Sequence, residues 1–132
     1  MDIEKGAVWI PFKTMESFIR DVFIRLGVPR AEAIICADVL IQADKFGFDS
    51  HGVSRLKPIY CDRIKAGTQF VKTRIRTVKN TPTTAVLDGG NGMGHVVAFR
   101  AMELAIRKAR KHGLGMVAVR NSTHFGIAGY YP

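Results

Sequence analysis

Two short runs carry the residue types that acid–base and anion chemistry require. The first is Asp49-Ser50-His51-Gly52-Val53-Ser54-Arg55. If a helix begins at Ser50, then His51 and Arg55 share a face. Free backbone N–H groups at a helix N-terminus favour anions, and an arginine fork grips a carboxylate through two parallel hydrogen bonds. That geometry suits a small carboxylic acid. The plainer reading is a capping serine on a helix whose histidine and arginine face water. The second run is Asn121-Ser122-Thr123-His124-Phe125-Gly126. A histidine there can act as acid or base near neutral pH, and Gly126 and Gly129 would let the backbone approach a ligand closely. A polar turn with an incidental histidine fits the same letters. Tyr60 lies nine residues after His51, about 180° around an ideal helix. It faces elsewhere unless Pro58 bends the helix, and core packing accounts for it equally well.

The elements that must position these runs can be read from apolar periodicity. Phe18, Val22 and Leu26, with Ile19 and Phe23 beside them, predict an amphipathic helix from about Thr14 to Leu26, closed by Gly27. Pro29 opens a second helix with a stripe of Ile34, Ala37 and Ile41, ending at Gly47. A third is expected from about Ser50 to Ala66. After Gly67, Arg74 to Lys79 and Thr83 to Leu87 read as strands separated by an Asn-Thr-Pro turn. The glycines of Gly89 to Gly94 lead into a helix from about His95 to Lys111, with Val97, Ala101, Leu104, Ala105 and Ala109 on one face. A strand at Met116 to Val119 follows. The expectation is an α/β fold: a helical layer over residues 1–68, then a strand–helix–strand unit over 69–132, together one folding unit. The second run then falls at the C-terminal end of the last strand, where open α/β sheets place ligands.

The glycine stretch sits between strand and helix, as a dinucleotide fingerprint would, but its spacing fails. Read from Gly90, His95 stands where the third glycine belongs; read from Gly92, Val97 does. A tight turn starting a helix is the better interpretation. Arg100, Arg107, Lys108, Arg110 and Lys111 make that helix basic, which reads as a solvated face.

The formal charge of +9 favours an anionic partner. Nucleic acid is not expected, because no aromatics interleave with the basic residues and no known module is present. The 47% hydrophobic content is enough for a core. No run is long enough to span a bilayer, and the start MDIEKGAVWIPFKTM lacks a signal core, so a cytoplasmic protein is expected. Cys36 and Cys61 show no metal-ligand spacing, so no metal site is expected and both read as buried thiols. A strand–helix–strand unit with no further helix over its sheet looks like the front of a longer protein.

From about Met15 onward the sequence resembles the N-terminal part of the malate/L-lactate dehydrogenase family. The resemblance is carried by Ala43-Asp44, Gly47, Asp49-Ser50-His51-Gly52-Val53-Ser54-Arg55-Leu56, Asp88-Gly89, Gly92, Gly94, Ala101-Met102 and Asn121 to Gly126. It implies a non-Rossmann fold and hydride transfer between NAD or NADP and C2 of a small 2-hydroxy or 2-imino acid. By the same resemblance His124 is the general acid/base, His51 and Ser50 belong to the substrate pocket, and Arg55 holds the carboxylate. Tyr60 is the counterpart of a family tyrosine, with Lys57 standing as an inserted residue before it, and Phe125 and Gly126 lie near the cofactor. Full members are more than twice this length and dimeric, with a catalytic lysine further on. The resemblance therefore implies an inactive fragment with an exposed apolar surface, and a homodimer at full length. Two other readings remain: an interaction module that kept the fold and lost the chemistry, and a basic nucleic-acid binder.

Overall fold

The computed structural model describes residues 8–131; most of the start MDIEKGAV, and Pro132, lie outside the described residues. Helices α1 (Phe12–Arg25) and α2 (Arg30–Lys45) form an antiparallel pair joined through Gly27, whose φ of 95° only glycine adopts easily. The buried line of α1 is Ile19 and Phe23. Phe18, expected in the core stripe, is exposed, and so is Ile34 of α2. The helix pair therefore meets along faces turned only partly from the ones periodicity selects, with Cys36 and Leu40 joining the expected Ala37 and Ile41 against Ile19 and Phe23.

The third helix departs most from expectation. It begins at Val53 rather than Ser50, because the Val53 N–H is taken by the carboxylate of Asp44 (2.9 Å), nine residues upstream. Ser50 does not cap it; its hydroxyl bonds His51 instead. The segment opens as a 3-10 turn (Val53–Arg55), widens into a π-helix (Leu56–Cys61) and closes as a short α-helix, α3 (Asp62–Lys65). A π turn bonds i to i+5 and so takes up one residue more than an α turn. Lys57 is exposed and pairs only with Asp62 at the surface, so the extra residue is absorbed without disturbing the buried Leu56 and Tyr60.

Strands β1 (Arg76–Asn80) and β2 (Thr84–Asp88) form an antiparallel hairpin with an irregularity between Thr77 and Lys79. Helix α4 (Gly94–His112) then crosses over to β3 (Met116–Arg120), which runs parallel to β2 in a sheet of order β1-β2-β3. This is the α/β arrangement expected, with the helical layer first. Val97 and Ala101 of α4 are buried, while Leu104, Ala105 and Ala109 are half-buried. Lys108, grouped above with the solvated cations, is buried: its ammonium donates to Asn80 Oδ1 and Thr81 O, both at 2.6 Å, and ties α4 to the hairpin turn. Among the described residues no helix is long and apolar enough to cross a membrane.

Candidate active site

The loop after β3 is fixed from two sides. Asp88, at the end of β2, accepts from the Gly90 N–H (3.0 Å), Arg120 Nε (2.9 Å) and Asn121 Nδ2 (3.0 Å). The Gly90 N–H first, then Arg120 and Asn121, hold this carboxyl below the usual carboxylate range. Two residues further on, Thr123 receives the Gly94 N–H at the start of α4 (2.9 Å) and donates to Gly92 O (2.7 Å). One of the helix's free N–H groups is thereby satisfied by the loop. The approach is close: a Cβ on Gly94 would lie 2.3 Å from His124 O.

His124 is half-buried at the end of this loop. Its Nδ1 receives the Gly126 N–H (3.2 Å) and lies 2.8 Å from the Tyr60 hydroxyl, which is also 2.8 Å from His95 Nε2. Tyr60 and His95 are both fully buried. Tyr60 reaches His124 through the π turn. In an α-helix, five residues at 100° each would set Tyr60 about 140° away from Arg55, whereas i→i+5 winding stacks residues five apart. The hydroxyl is thus occupied beneath His124 and has no exposed surface of its own.

The other wall is the first run. His51 stacks on His124 with ring centroids 5.7 Å apart, and Ser50 Oγ lies 2.8 Å from His51 Nδ1. Arg55 donates from Nε to Ser50 O, which bends the loop back over the helix start. Neither terminal nitrogen of the Arg55 fork has a carboxylate partner among the described residues. Gly52 is required here, since a Cβ would overlap the Asp44 carboxylate at 1.7 Å. The two runs meet although they lie some seventy residues apart, and the sharing of a helix face by His51 and Arg55 is replaced by a loop-to-helix contact.

The electrostatics follow from this packing. His124 is held below its ordinary imidazole value, first by burial and then by the neighbouring side chains of His51, Arg55 and Arg63. Burial, with His124 second, pushes His95 down to about 3. Burial pushes the Tyr60 hydroxyl up. At neutral pH the three groups are therefore uncharged beneath a cationic rim.

The residues fit one part of a nicotinamide cofactor. Phe125 offers an exposed aromatic face beside His124, at the rim of an apolar cleft of about 590 Å³ that runs along α4 to Met116. Gly126, expected to admit a ligand, is also required by packing: its φ is 83° and a Cβ would meet Val39 at 2.6 Å. In the glycine turn Gly92 is packed on Thr73, which accounts for a glycine there. No group of three or more His, Cys, Asp or Glu side chains among the described residues could hold a metal ion.

His51, Arg55, Tyr60 and His124 were all legible as candidates, whereas His95 and Asp44 were not singled out for the site. Asp44 was visible only as part of the Ala43-Asp44 pair, and His95 only as the residue spoiling a glycine fingerprint.

Comparison with known proteins shows the family of the chain. The family model described as malate/L-lactate dehydrogenase matches residues 10–132. The chain is 50% identical over 129 residues to a malate dehydrogenase of Pyrococcus abyssi, covering 98% of this chain and 35% of that protein. It is 51% identical over 116 residues to an L-sulfolactate dehydrogenase of Methanocaldococcus jannaschii, covering 88% of this chain and 33% of that one. The solved structure of malate dehydrogenase from Pyrococcus horikoshii superposes with a TM-score of 0.94 at 44% identity, over 99% of this chain and 37% of the other. The chain thus spans about a third of the length of the curated relatives it matches.

Proposed function

The chain belongs to the malate/L-lactate dehydrogenase family, and from that we propose that it forms the proton-exchanging and carboxylate-binding side of an NAD(P)-dependent 2-hydroxyacid dehydrogenase. The observation that carries the reading is the meeting of His124 with the His51–Arg55 wall across a half-buried, cationic rim. A nicotinamide cofactor, when bound, would accept hydride from C2 of the hydroxy acid or give it to C2 of the oxo acid. His124 exchanges the proton of the C2 oxygen. Arg55, whose terminal nitrogens have no carboxylate partner among the described residues, takes the substrate carboxylate. Ser50 orients His51 through Nδ1, leaving His51 Nε2 as a second polar contact for the substrate. Phe125 and the backbone at Gly126 lie against the cofactor. Tyr60 acts through His124, because its hydroxyl is already filled.

The 132 residues alone are expected to give no turnover, since the cofactor fit is partial and the chain covers 35% of the Pyrococcus abyssi protein. Exposed Trp9, Phe12 and Phe18 give it an apolar surface for self-association, and we assign a homodimer to the full-length form. The test is an assay of the complete reading frame with NAD and NADP against malate, lactate, sulfolactate and ureidoglycolate, alongside His124→Ala. Turnover that falls by roughly 10²- to 10⁴-fold in the variant supports the reading. Absence of turnover with all four acids, or full activity in His124→Ala, overturns it.

A further inference from the structure

One hydrogen bond biases the direction of a whole polar chain. The Gly126 N–H can only donate, so its 3.2 Å contact favours His124 Nδ1 as an acceptor without by itself fixing it. With Nδ1 an acceptor, the Tyr60 hydroxyl, nearer to the same nitrogen at 2.8 Å, donates to it, and the two donors share its one lone pair. The Tyr60 oxygen is then free to accept from His95 Nε2–H at 2.8 Å. Every proton in the chain runs one way, from His95 through Tyr60 to His124. The remaining His95 nitrogen, Nδ1, is buried with no partner among the described residues. That is the cheaper arrangement, because the reverse direction would orphan an N–H there and set His124 Nδ1–H against the Gly126 N–H.

We propose that His95 is a positioning residue which, through Tyr60, locks His124 in its neutral Nε2–H tautomer and so makes the resting site a hydrogen-bond donor matched to the carbonyl oxygen of a 2-oxo acid. The catalytic meaning rests on the role given to His124 above; the tautomer itself does not. Two features of the site make His95 suited to this. It is sealed at the start of α4, where Gly126 and Tyr60 pack on its ring, so the ring cannot turn to solvent. Burial also keeps it neutral, so it offers Tyr60 the same single donor across the working range of pH. Proton abstraction from a hydroxy acid at Nε2 requires His124 to carry its proton on Nδ1 instead, and hence requires the Tyr60 hydroxyl to turn round.

The test is long-range ¹H–¹⁵N correlation of the histidine rings in this chain, whose four histidines can be assigned by single substitution. For His124 and for His95 the wild-type spectrum should show a protonated Nε2 and a bare Nδ1, with a slowly exchanging Tyr60 hydroxyl proton coupled to His124 Nδ1. That proton should vanish in Tyr60→Phe. In His95→Leu the hydroxyl loses its donor and is free to accept, so the Nδ1–H form of His124 should appear beside the other. His95→Gln, whose amide N–H reaches the same place, should restore the wild-type pattern. A wild-type His124 protonated at Nδ1, or a Tyr60 proton coupled to His95 Nε2, overturns the proposal without any variant having to fold. A His95→Leu spectrum unchanged at His124 overturns the part assigned to His95. None of these readouts needs substrate or cofactor. Failure of the dehydrogenase assay with the tautomers as stated would therefore sink the catalytic reading and leave the lock standing.

Discussion

The two walls of the site are built differently. On one, His124 is held by groups drawn from three elements: the buried Tyr60 in the π turn, the buried His95 in α4 acting through Tyr60, and Gly126 in its own loop, with Thr123 joining that loop to the start of α4. On the other, Ser50, His51 and Arg55 are held mainly by each other, through exposed bonds within five residues. The first wall is ordered by the core before any ligand arrives. Among the described residues, the second keeps its most useful donors, the terminal nitrogens of Arg55, unspent. Preorganised groups act on the reacting atoms at no further cost in ordering, while an exposed fork can adjust to differing acids.

The contrast is broken most severely by acid. His95 resists protonation down to about pH 3 when folded, while its unfolded value is the ordinary 6.5. Between those limits the unfolded chain binds a proton that the folded chain refuses, so stability is lost as pH falls, by about 1.4 kcal/mol for each unit below 6.5. His124, whose folded value is also lowered, adds loss in the same direction as pH falls below its unfolded value. Urea unfolding from pH 7 to 4.5 should show this slope, and His95→Gln should remove most of it. An unchanged slope in the variant would mean that the buried wall does not exclude protons as the packing requires.

Backbone substitution separates the walls next. Gly126→Ala places a Cβ 2.6 Å from Val39 Cγ1 at a φ of 83°, combining overpacking with strain, and should cost about 2 to 4 kcal/mol. Gly47→Ala carries a similar φ, 76°, with nothing within 4 Å of the new carbon, and should cost about 1 kcal/mol. Thermal unfolding of the two variants side by side isolates the packing contribution. Equal losses would show that positive φ, and not the core beneath His124, dictates glycine at position 126.

How much of this was legible follows from the range of each interaction. Helix ends at Gly27, Gly47 and Gly113 are local events, written in residues that tolerate positive φ, and all three fell where the sequence put them. The β2–α4–β3 crossover was equally readable, since alternation and periodicity are local too. The start of the third helix was not. It is decided by Asp44, nine residues away, and its winding by a π turn that no 3.6-residue template anticipates. Lys108 falls seven residues after the buried Ala101, on the core side of α4, yet its charge reads as surface until the hairpin turn supplies two oxygens. At the site, the residue types marked His51, Arg55 and His124 from the start. His95 stayed hidden because its partner, Tyr60, is thirty-five residues distant.

On the open wall the effects should be smaller and confined to substrate. Arg55→Ala in the complete reading frame should raise KM for the hydroxy acid by about 10- to 100-fold, as expected for a charge-assisted bond of 1.5–3 kcal/mol. Lysine at the same position should recover only part of that loss, because it cannot form the two-pronged contact. A drop in kcat with KM unchanged would instead place Arg55 in the preorganised half of the site.

The smallest effect tests the comparison most finely. Ser50 Oγ and His51 Nδ1 are 2.8 Å apart in an exposed position, where water can replace either partner. A neutral bond of that kind is worth about 0.5 to 1.5 kcal/mol net, so Ser50→Ala should lower kcat/KM by roughly 2- to 10-fold. If Ser50 only steadies the ring, His51 keeps its stacking on His124 and the loss should stay at the lower end. Should Ser50→Ala instead approach the loss of His124→Ala, the serine would be setting the His51 tautomer as firmly as Tyr60 is proposed to set that of His124. The second wall would then be as preorganised as the first, held by surface bonds in place of a core, and its apparent openness would describe solvent access and not freedom to move.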